Sequence, residues 1–193
     1  MRNLFWLLVL SGWPAAASAA EFTSAYTRFS LETCRVLEKG DEYVTAGTWS
    51  CAGHKGIDII QASSDDRSYV GFGKNGTGHC AFRKTFSKFN TALSPVEWRL
   101  KDGQPIAAIE RWNVGDEMDL KAKSWLVVTA LRKDQSCHMH YVAGSYPNAN
   151  EAARRAADDL AEGFNCLTDV PTVDSKAGAP GIEIVACRVL APE

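Results

Sequence analysis

The sequence predicts an α+β fold in which an antiparallel β-meander packs against one main C-terminal helix and disulfides staple the domain. Several segments alternate apolar and polar residues with the two-residue period of a β-strand. One alanine-rich segment near the end has the spacing of an amphipathic helix instead. Six cysteines stand in a chain that opens like an exported protein, which favours disulfide bonds.

The range 1–20 is interpreted as a secretory signal peptide. A single arginine opens it, Leu4–Leu10 is an unbroken apolar run, and Ala17-Ser18-Ala19 is a small-residue cleavage pattern. We therefore expect cleavage near Ala19 or Ala20. The apolar run is too short for a transmembrane helix, which needs about 20 apolar residues.

Residues 21–193 are expected to form one mature α+β domain, periplasmic or secreted and without a transmembrane anchor. With one of the 21 basic residues lost in the signal peptide, 20 basic residues face 23 acidic ones. This mild negative charge, with no basic cluster among aromatic residues, predicts no nucleic-acid partner. No motif predicts a cofactor, and the expected partner is a protein or an envelope component of the periplasm.

The first half of the domain is predicted to hold a short helix and three strands. The helix spans 31–37, and the first strand, Tyr43–Cys51, alternates in polarity. Ile57–Ala62 and Arg67–Gly73 follow, and Asp65-Asp66 between them is the expected turn.

A four-stranded meander is predicted over 96–142. The first strand directs Val96, Trp98 and Leu100 to one face and the intervening charged residues to the other. Asp102-Gly103 tolerates positive φ and predicts a tight hairpin. The four strands are Val96–Leu100, Ile106–Trp112, Trp125–Leu131, which is apolar on both faces and therefore central, and Cys137–Val142.

The main helix is predicted over Ala149–Gly163. Asn148 is the expected N-cap, with Glu151 three residues later in a capping-box arrangement. Acidic residues near the C-terminal end are unfavourable for the helix dipole, so packing must offset them. Beyond the helix we predict a polar connection over 171–180 and a final strand over 182–189.

Six cysteines allow fifteen pairings, and their spacing alone does not choose among them. We predict Cys34–Cys51 and Cys137–Cys166 because each joins neighbouring predicted elements, and Cys80–Cys187 takes the remaining pair. Each bond is worth roughly 3 to 5 kcal/mol in the chain-entropy account. The cysteines are therefore expected to hold the fold and to do no chemistry.

Two local motifs invite a functional interpretation. Gly71-Phe72-Gly73-Lys74-Asn75-Gly76 matches G-x-G-x-x-G, but no helix start follows it, so it is interpreted as a glycine-rich turn and not as a nucleotide site. His138 and His140 alternate on one strand and are expected to share a face, opposite Cys137 and Tyr141. Such a pair binds Zn²⁺ or Cu²⁺ if a third ligand converges. The candidates for that ligand are His54, His79, Asp58 and Glu110.

A hydrolase is the remaining enzymatic hypothesis. His138 or His140 would be the general base, and Ser50 or Ser145 the nucleophile, but no G-x-S-x-G elbow occurs. The tryptophans fit core packing better than a ligand groove. They are Trp49, Trp98, Trp112 and Trp125.

A series of different short motifs occurs along the mature chain as far as Cys166. They are Tyr26-Thr27, Cys34, Trp49-Ser50-Cys51-x-Gly53, Phe89-Asn90-Thr91, Val96-Glu97-Trp98-Arg99, Cys137-His138-x-x-Tyr141-Val142, the alanine-rich helix and Phe164-Asn165-Cys166. In this order the chain resembles a family of small exported proteins of alphaproteobacteria. The family pattern carries four cysteines, so Cys80 and Cys187 are additions, which supports pairing them. The resemblance implies a bacterial periplasm and a fold, and no mechanism.

The first functional hypothesis is a non-catalytic binding module for a protein or envelope component. It is favoured by a crosslinked β scaffold without a catalytic constellation, and its contact surfaces would be the polar loops 73–90 and 113–123. The alternatives are a Zn²⁺- or Cu²⁺-binding protein that uses His138 and His140, and a cell-envelope hydrolase.

Overall fold

The computed structural model describes residues 20–40, 46–115, 123–176 and 178–190. The signal peptide predicted over 1–20 lies outside these ranges except for Ala20, as does most of the polar loop 113–123. The described strands and helix are β1 Phe22–Thr27, β2 Arg35–Lys39, β3 Gly47–Cys51, β4 Ile59–Ser64, β5 Arg67–Phe72, β6 Phe89–Lys101, β7 Gln104–Gly115, β8 Lys123–Arg132, β9 Gln135–Ala143, α1 Ala149–Leu160 and β10 Thr172–Asp174.

The strands form two sheets. The larger has the order β1-β6-β7-β8-β9-β10 and is antiparallel except where β10 joins β9 in parallel. The smaller, β2-β3-β4-β5, is antiparallel and packs on one face of the larger sheet, while α1 packs on the other. The predicted α+β class, with its meander and main helix, is confirmed. The smaller sheet as a separate layer is not predicted, because alternation does not say which sheet a strand joins.

Two tight turns close hairpins where the sequence predicts them. Asp65 and Asp66 have φ of 51° and 52°, and Asp102 and Gly103 have φ of 47° and 74°. Two consecutive positive φ values are those of a type I′ turn, whose twist matches that of the paired strands. The meander is therefore confirmed in order, with each strand longer than its apolar centre.

Strand β6 divides its side chains between the layers, as its alternation predicts. Val96, Trp98 and Leu100 are buried in the core between the two sheets. The indole N–H of Trp98 donates to Thr27 Oγ1 at 2.9 Å, and its ring meets Phe72 edge-on with centroids 5.6 Å apart. The tryptophans in or beside this core are Trp98, Trp112, Trp125 and Trp49.

The opposite face of β6 is joined by ion pairs to α1 and the turn that follows it. The pairs are Glu97 with Arg154, Arg99 with Asp158, and Lys101 with Glu162. Positions two apart on a strand and four apart on a helix both advance about 6 to 7 Å, so the two series stay in step. These pairs, together with the Arg132 guanidinium on the carbonyls of Ala161 and Phe164, offset the unfavourable acidic residues at the helix end.

Replacing Asp158 with asparagine is expected to lower the free energy of unfolding by about 1 to 2 kcal/mol. The Arg99 guanidinium, whose side chain is only 13% exposed, donates to both oxygens of this carboxylate at 2.6 and 2.7 Å. Urea denaturation measures the change. Asp159→Asn is the matched control, because that neighbouring side chain is exposed. Equal losses in the two variants would contradict the assignment.

The predicted start of the main helix is wrong in its detail. Asn148 precedes α1 in the left-handed region, with φ of 52°, and its side chain makes no capping hydrogen bond. The capping box with Glu151 is therefore not formed. The helix also ends at Leu160, earlier than the predicted Gly163.

Two other local predictions are wrong because sheet pairing decides the conformation of these segments. The range 31–37 is a single 3₁₀ turn, Leu31–Thr33, followed by β2. The predicted final strand makes one isolated bridge, Phe86 with Ile182, and ends in the 3₁₀ turn Cys187–Leu190. The outer edge of β9 is instead taken by β10, which lies inside the predicted polar connection.

Three disulfides join the pairs expected from the sequence. Cys34–Cys51 and Cys137–Cys166 span 17 and 29 residues, and Cys80–Cys187 spans 107. The last bond ties the C-terminal segment to the stretch after β5. Three disulfides are typical of a protein outside the reducing cytoplasm. In the described ranges, no helix has the length and apolar character needed to cross a bilayer.

Candidate functional site

The structure separates the two histidines of β9. Between His140 and His138 strand β9 advances two residues while β8 advances one, so Met139 is the extra residue of a β-bulge. Met139 and His140 both lie on the α1 side, whereas His138 and Tyr141 lie on the side of the smaller sheet. The prediction that the histidines share a face opposite Tyr141 is therefore wrong.

His138 is enclosed between the two sheets. Its Nδ1 lies 2.9 Å from the Tyr141 hydroxyl oxygen, and the two rings are perpendicular. Burial, reinforced by the nearby Lys84 ammonium, lowers the pKa of His138 to about 3. A neutral imidazole with 2% of its surface exposed does not reach a substrate in solvent. His138 is therefore a core residue.

His140 fastens the short edge strand β10. Its Nδ1 lies 2.6 Å from Thr172 Oγ1, and its Nε2 lies 3.4 Å from Asp174 Oδ2, an ion-pair distance without hydrogen-bond alignment. Burial lowers the pKa of His140, and Asp174 opposes this in part. Both ring nitrogens therefore face β10.

The metal hypothesis needs ligands to converge, and the bulge directs its two histidines apart. No group of three or more His, Cys, Asp or Glu side chains comes together within the described residues. Of the further ligands considered, Glu110 lies in the core and His79 contacts Ser136.

The hydrolase hypothesis gains no contact either. His138 and His140 meet Tyr141 and β10, and neither contacts Ser50 or Ser145 in the described part of the chain. A serine–histidine contact does form among the described residues, between His79 Nδ1 and Ser136 Oγ at 3.1 Å. Both residues are buried, and the same oxygen accepts the Phe72 N–H at 3.3 Å. This contact holds β5 to β9.

A cleft of about 540 Å³ opens at the end of the larger sheet that carries the β6–β7 and β8–β9 turns. Its other walls are the loop before β4 and the glycine-rich loop after β5. We call it the cationic cleft. Its lining residues are Lys55, Gly56, Ile57, Phe72, Gly73, Lys74, Asn75, His79, Gln104, Pro105, Leu131, Arg132, Lys133 and Asp134.

Four basic side chains in this lining face one acidic one, Asp134. Arg132 is committed to backbone carbonyls, including that of Phe164 at 2.7 Å. Lys55 Nζ donates to Gly103 O at 2.6 Å. Lys74 and Lys133 are exposed and make no ion pair or side-chain hydrogen bond with any described residue. The charge available to a ligand is therefore carried by lysine ammonium groups.

The glycine-rich motif forms one wall of the cationic cleft. Gly73 has φ of 91° and its N–H donates to Asp58 O, and a Cβ on Gly71 would lie 2.3 Å from Gly76 O. A 3₁₀ turn follows, which confirms a glycine-rich turn without a helix start. Within the described ranges, the N–H groups of Lys74 and Asn75 donate to no backbone carbonyl.

A second cleft, of about 600 Å³, lies at the opposite end of the larger sheet. Val114, Trp125 and Pro180 give it an apolar floor, and Lys123 and Ser145 lie at its rim. The ends of β7 and β8 contribute two of its walls.

Glu110 is a carboxyl group in the core. It lies on the inner face of β7 with 2% of its surface exposed, and its Oε1 has no hydrogen-bond partner among the described residues. Burial raises the pKa of Glu110 to about 8, so the group is protonated at neutral pH. The Trp112 indole opposes this rise in part, although its geometry falls short of a hydrogen bond.

Comparison with known proteins finds no matching family model, curated protein or solved structure. The cationic cleft is the feature that sequence patterns miss. Its lysines stand in three separate turns and become neighbours only when the hairpins meet at one end of the sheet. The one part of the cleft that the sequence analysis marks as a contact surface is the polar loop 73–90, which contains Lys74.

Proposed function

We propose that the protein is a non-catalytic, exported binding module that takes an anionic group of a protein or envelope component in the cationic cleft. The observation that carries this proposal is the charge of the cleft. Lys55, Lys74 and Lys133 converge there in a chain whose net charge is −2. A local positive field on a negative protein attracts an anionic ligand and orients it.

The proposal includes a periplasmic or secreted location. It is supported by the signal-peptide pattern of residues 1–20, by three disulfides, and by the resemblance to small exported alphaproteobacterial proteins. A rigid crosslinked scaffold with exposed lysines on its loops suits recognition, because the binding groups are held in place before the ligand arrives.

The double variant Lys74→Glu, Lys133→Glu tests the cleft. The mature oxidised protein is immobilised and exposed to envelope extract of the source cell, and retained components are read by mass spectrometry. We expect the wild type to retain a defined component and the variant to lose at least nine-tenths of it. Raising the salt concentration should weaken retention by the wild type, because exposed charges are screened.

The matched control is Lys39→Glu, Lys176→Glu, which makes the same change in charge at two exposed positions outside the cleft. It should retain the component as the wild type does. Equal losses in both double variants would mean that net charge matters and the cleft does not. Retention that neither variant alters would reject the cleft as the binding surface.

A further inference from the structure

We propose that the ligand of the cationic cleft is a sugar phosphate, with the phosphate at the lysines and the ring over the apolar floor. This inference rests on the proposed function and names the chemical class that the cleft selects. The exposed cations that line this cleft are lysines. The Arg132 guanidinium, the planar group that suits bidentate carboxylate recognition, is occupied by backbone carbonyls.

The number and placement of the lysines bear on which kind of anion the cleft would hold. Lys55, Lys74 and Lys133 come from three different loops and border one space. A phosphate monoester offers three terminal oxygens and a charge of about −1.5 to −2, so it can meet several ammonium groups at once. A carboxylate offers two oxygens and a single charge. The lysine arrangement therefore favours the phosphate.

The glycine-rich turn adds backbone N–H donors to the wall of the cleft. It lines the cleft beside Lys74 and carries two N–H groups, those of Lys74 and Asn75, that donate to no described backbone carbonyl. Backbone N–H groups of such loops are common ligands of phosphate oxygens. A side chain at Gly71 would collide with Gly76, so the glycines let the loop fold this tightly.

The rest of the lining combines apolar side chains with side-chain amides. Ile57, Pro105 and Leu131 give a half-buried apolar floor, and the amides of Asn75 and Gln104 lie at the rim. The Asn75 side chain makes no capping bond to the turn that follows it. A pyranose ring needs both an apolar surface for its C–H face and amide partners for its hydroxyls. A volume of about 540 Å³ accommodates a ligand of this size.

Isothermal titration calorimetry on the mature, oxidised protein tests the inference with glucose 6-phosphate, inorganic phosphate, glucose and glucuronate. We expect glucose 6-phosphate to bind at least tenfold more tightly than the other three. Lys74→Met, Lys133→Met should weaken it at least tenfold, and the control Lys39→Met, Lys176→Met should leave it unchanged. Equal affinity for glucuronate or for inorganic phosphate would overturn the inference.

A vesicle-binding experiment distinguishes a membrane-held sugar phosphate from a free one. Vesicles that carry a glycolipid with a phosphate monoester are compared with vesicles that carry phosphatidic acid, which has a phosphate monoester and no sugar ring. Cleft-dependent binding to the first alone would identify a membrane-held sugar phosphate, and binding of glucose 6-phosphate alone would identify a free one. If the charge-reversal variant loses the envelope component but neither probe binds, this inference fails and the proposed function stands.

Discussion

Replacing both Cys80 and Cys187 with alanine is expected to lower the free energy of unfolding by about 4 to 5 kcal/mol. The bond closes the longest of the three disulfide loops, with a separation of 107 residues. In the chain-entropy account a loop of about 100 residues is worth about 4.7 kcal/mol, against about 3 for a loop of about 15. A loss of this size is comparable with the whole stability of many domains, about 5 to 15 kcal/mol.

The physical reason lies in how the C-terminal segment is held. In its described part beyond β10 the segment makes one isolated bridge, Phe86 with Ile182, and scattered hydrogen bonds, such as that from Lys84 Nζ to Val185 O at 2.5 Å. Without the disulfide, the unfolded chain gains conformational freedom, and the folded segment keeps its scattered hydrogen bonds and the packing of the buried Ile182. Urea denaturation with a check on the m-value measures the loss.

The matched comparison is Cys34→Ala, Cys51→Ala, which opens a loop with a separation of only 17 residues. Its loss should be smaller by about 1 to 2 kcal/mol. Equal losses in the two variants would contradict the loop-length account. A loss below about 2 kcal/mol for the Cys80 and Cys187 variant would contradict the first prediction.

The unfolding free energy is expected to fall by about 2 kcal/mol as the pH rises from 6.5 to 8, because of Glu110. In the folded state burial raises the pKa of this carboxyl from 4.5 to about 8. The folded protein therefore holds a proton that the unfolded chain has released, and stability falls by about 1.4 kcal/mol per pH unit across that range. The full contribution from pH 4.5 to 8 is on the order of 5 kcal/mol.

His138 acts in the opposite direction at lower pH. Its pKa is lowered from 6.5 to about 3, so stability is lost as the pH falls from 6.5 towards 3. Between pH 4.5 and 6.5 the slopes of Glu110 and His138 offset each other, so the net change there is a loss of stability with falling pH that comes from His79 and His140, whose pKa values burial also lowers. Lys84, whose pKa burial lowers to about 8, stays protonated in both states over most of the measured window.

Replacing Glu110 with glutamine removes the titrating carboxyl group and tests whether that group causes the fall in stability. The variant should lose no stability between pH 6.5 and 8, while the wild type loses about 2 kcal/mol. Glu38→Gln, at an exposed position on β2, is the control and should keep the wild-type slope. Thermal and urea unfolding at half-unit pH intervals measure both. A wild-type profile that is flat from 6.5 to 8 would show that Glu110 is ionised in the folded protein.

The sequence predicts elements whose pattern is set by their own residues. Val96, Trp98 and Leu100 alternate cleanly, and the structure buries them on one face of β6 as expected. The Asp102-Gly103 hairpin follows from residues that tolerate positive φ. Local composition and local geometry agree in these places, so they can be read before the fold is known.

Features that depend on partners distant in sequence could not be predicted in this way. The three residues of β10 are too few to show the period of a strand and are placed by the open edge of β9 and by His140. The cationic cleft likewise depends on which hairpin turns meet in space. Nothing near Lys55 or Lys133 in the sequence indicates that they line the same cleft.

The bulge at Met139 has a consequence for the alignment of related chains. In a regular strand, residues four apart lie on the same face, yet Cys137 faces α1 and Tyr141 faces the core. A chain that keeps the spacing Cys-His-x-x-Tyr with these two orientations must therefore carry one inserted residue between them. In a related chain without the insertion, the residues equivalent to His138 and His140 would be adjacent in sequence. The correct alignment would then place a gap, and not a substitution, opposite Met139. A histidine pair counted by spacing alone would then be matched to side chains on the wrong face of the sheet.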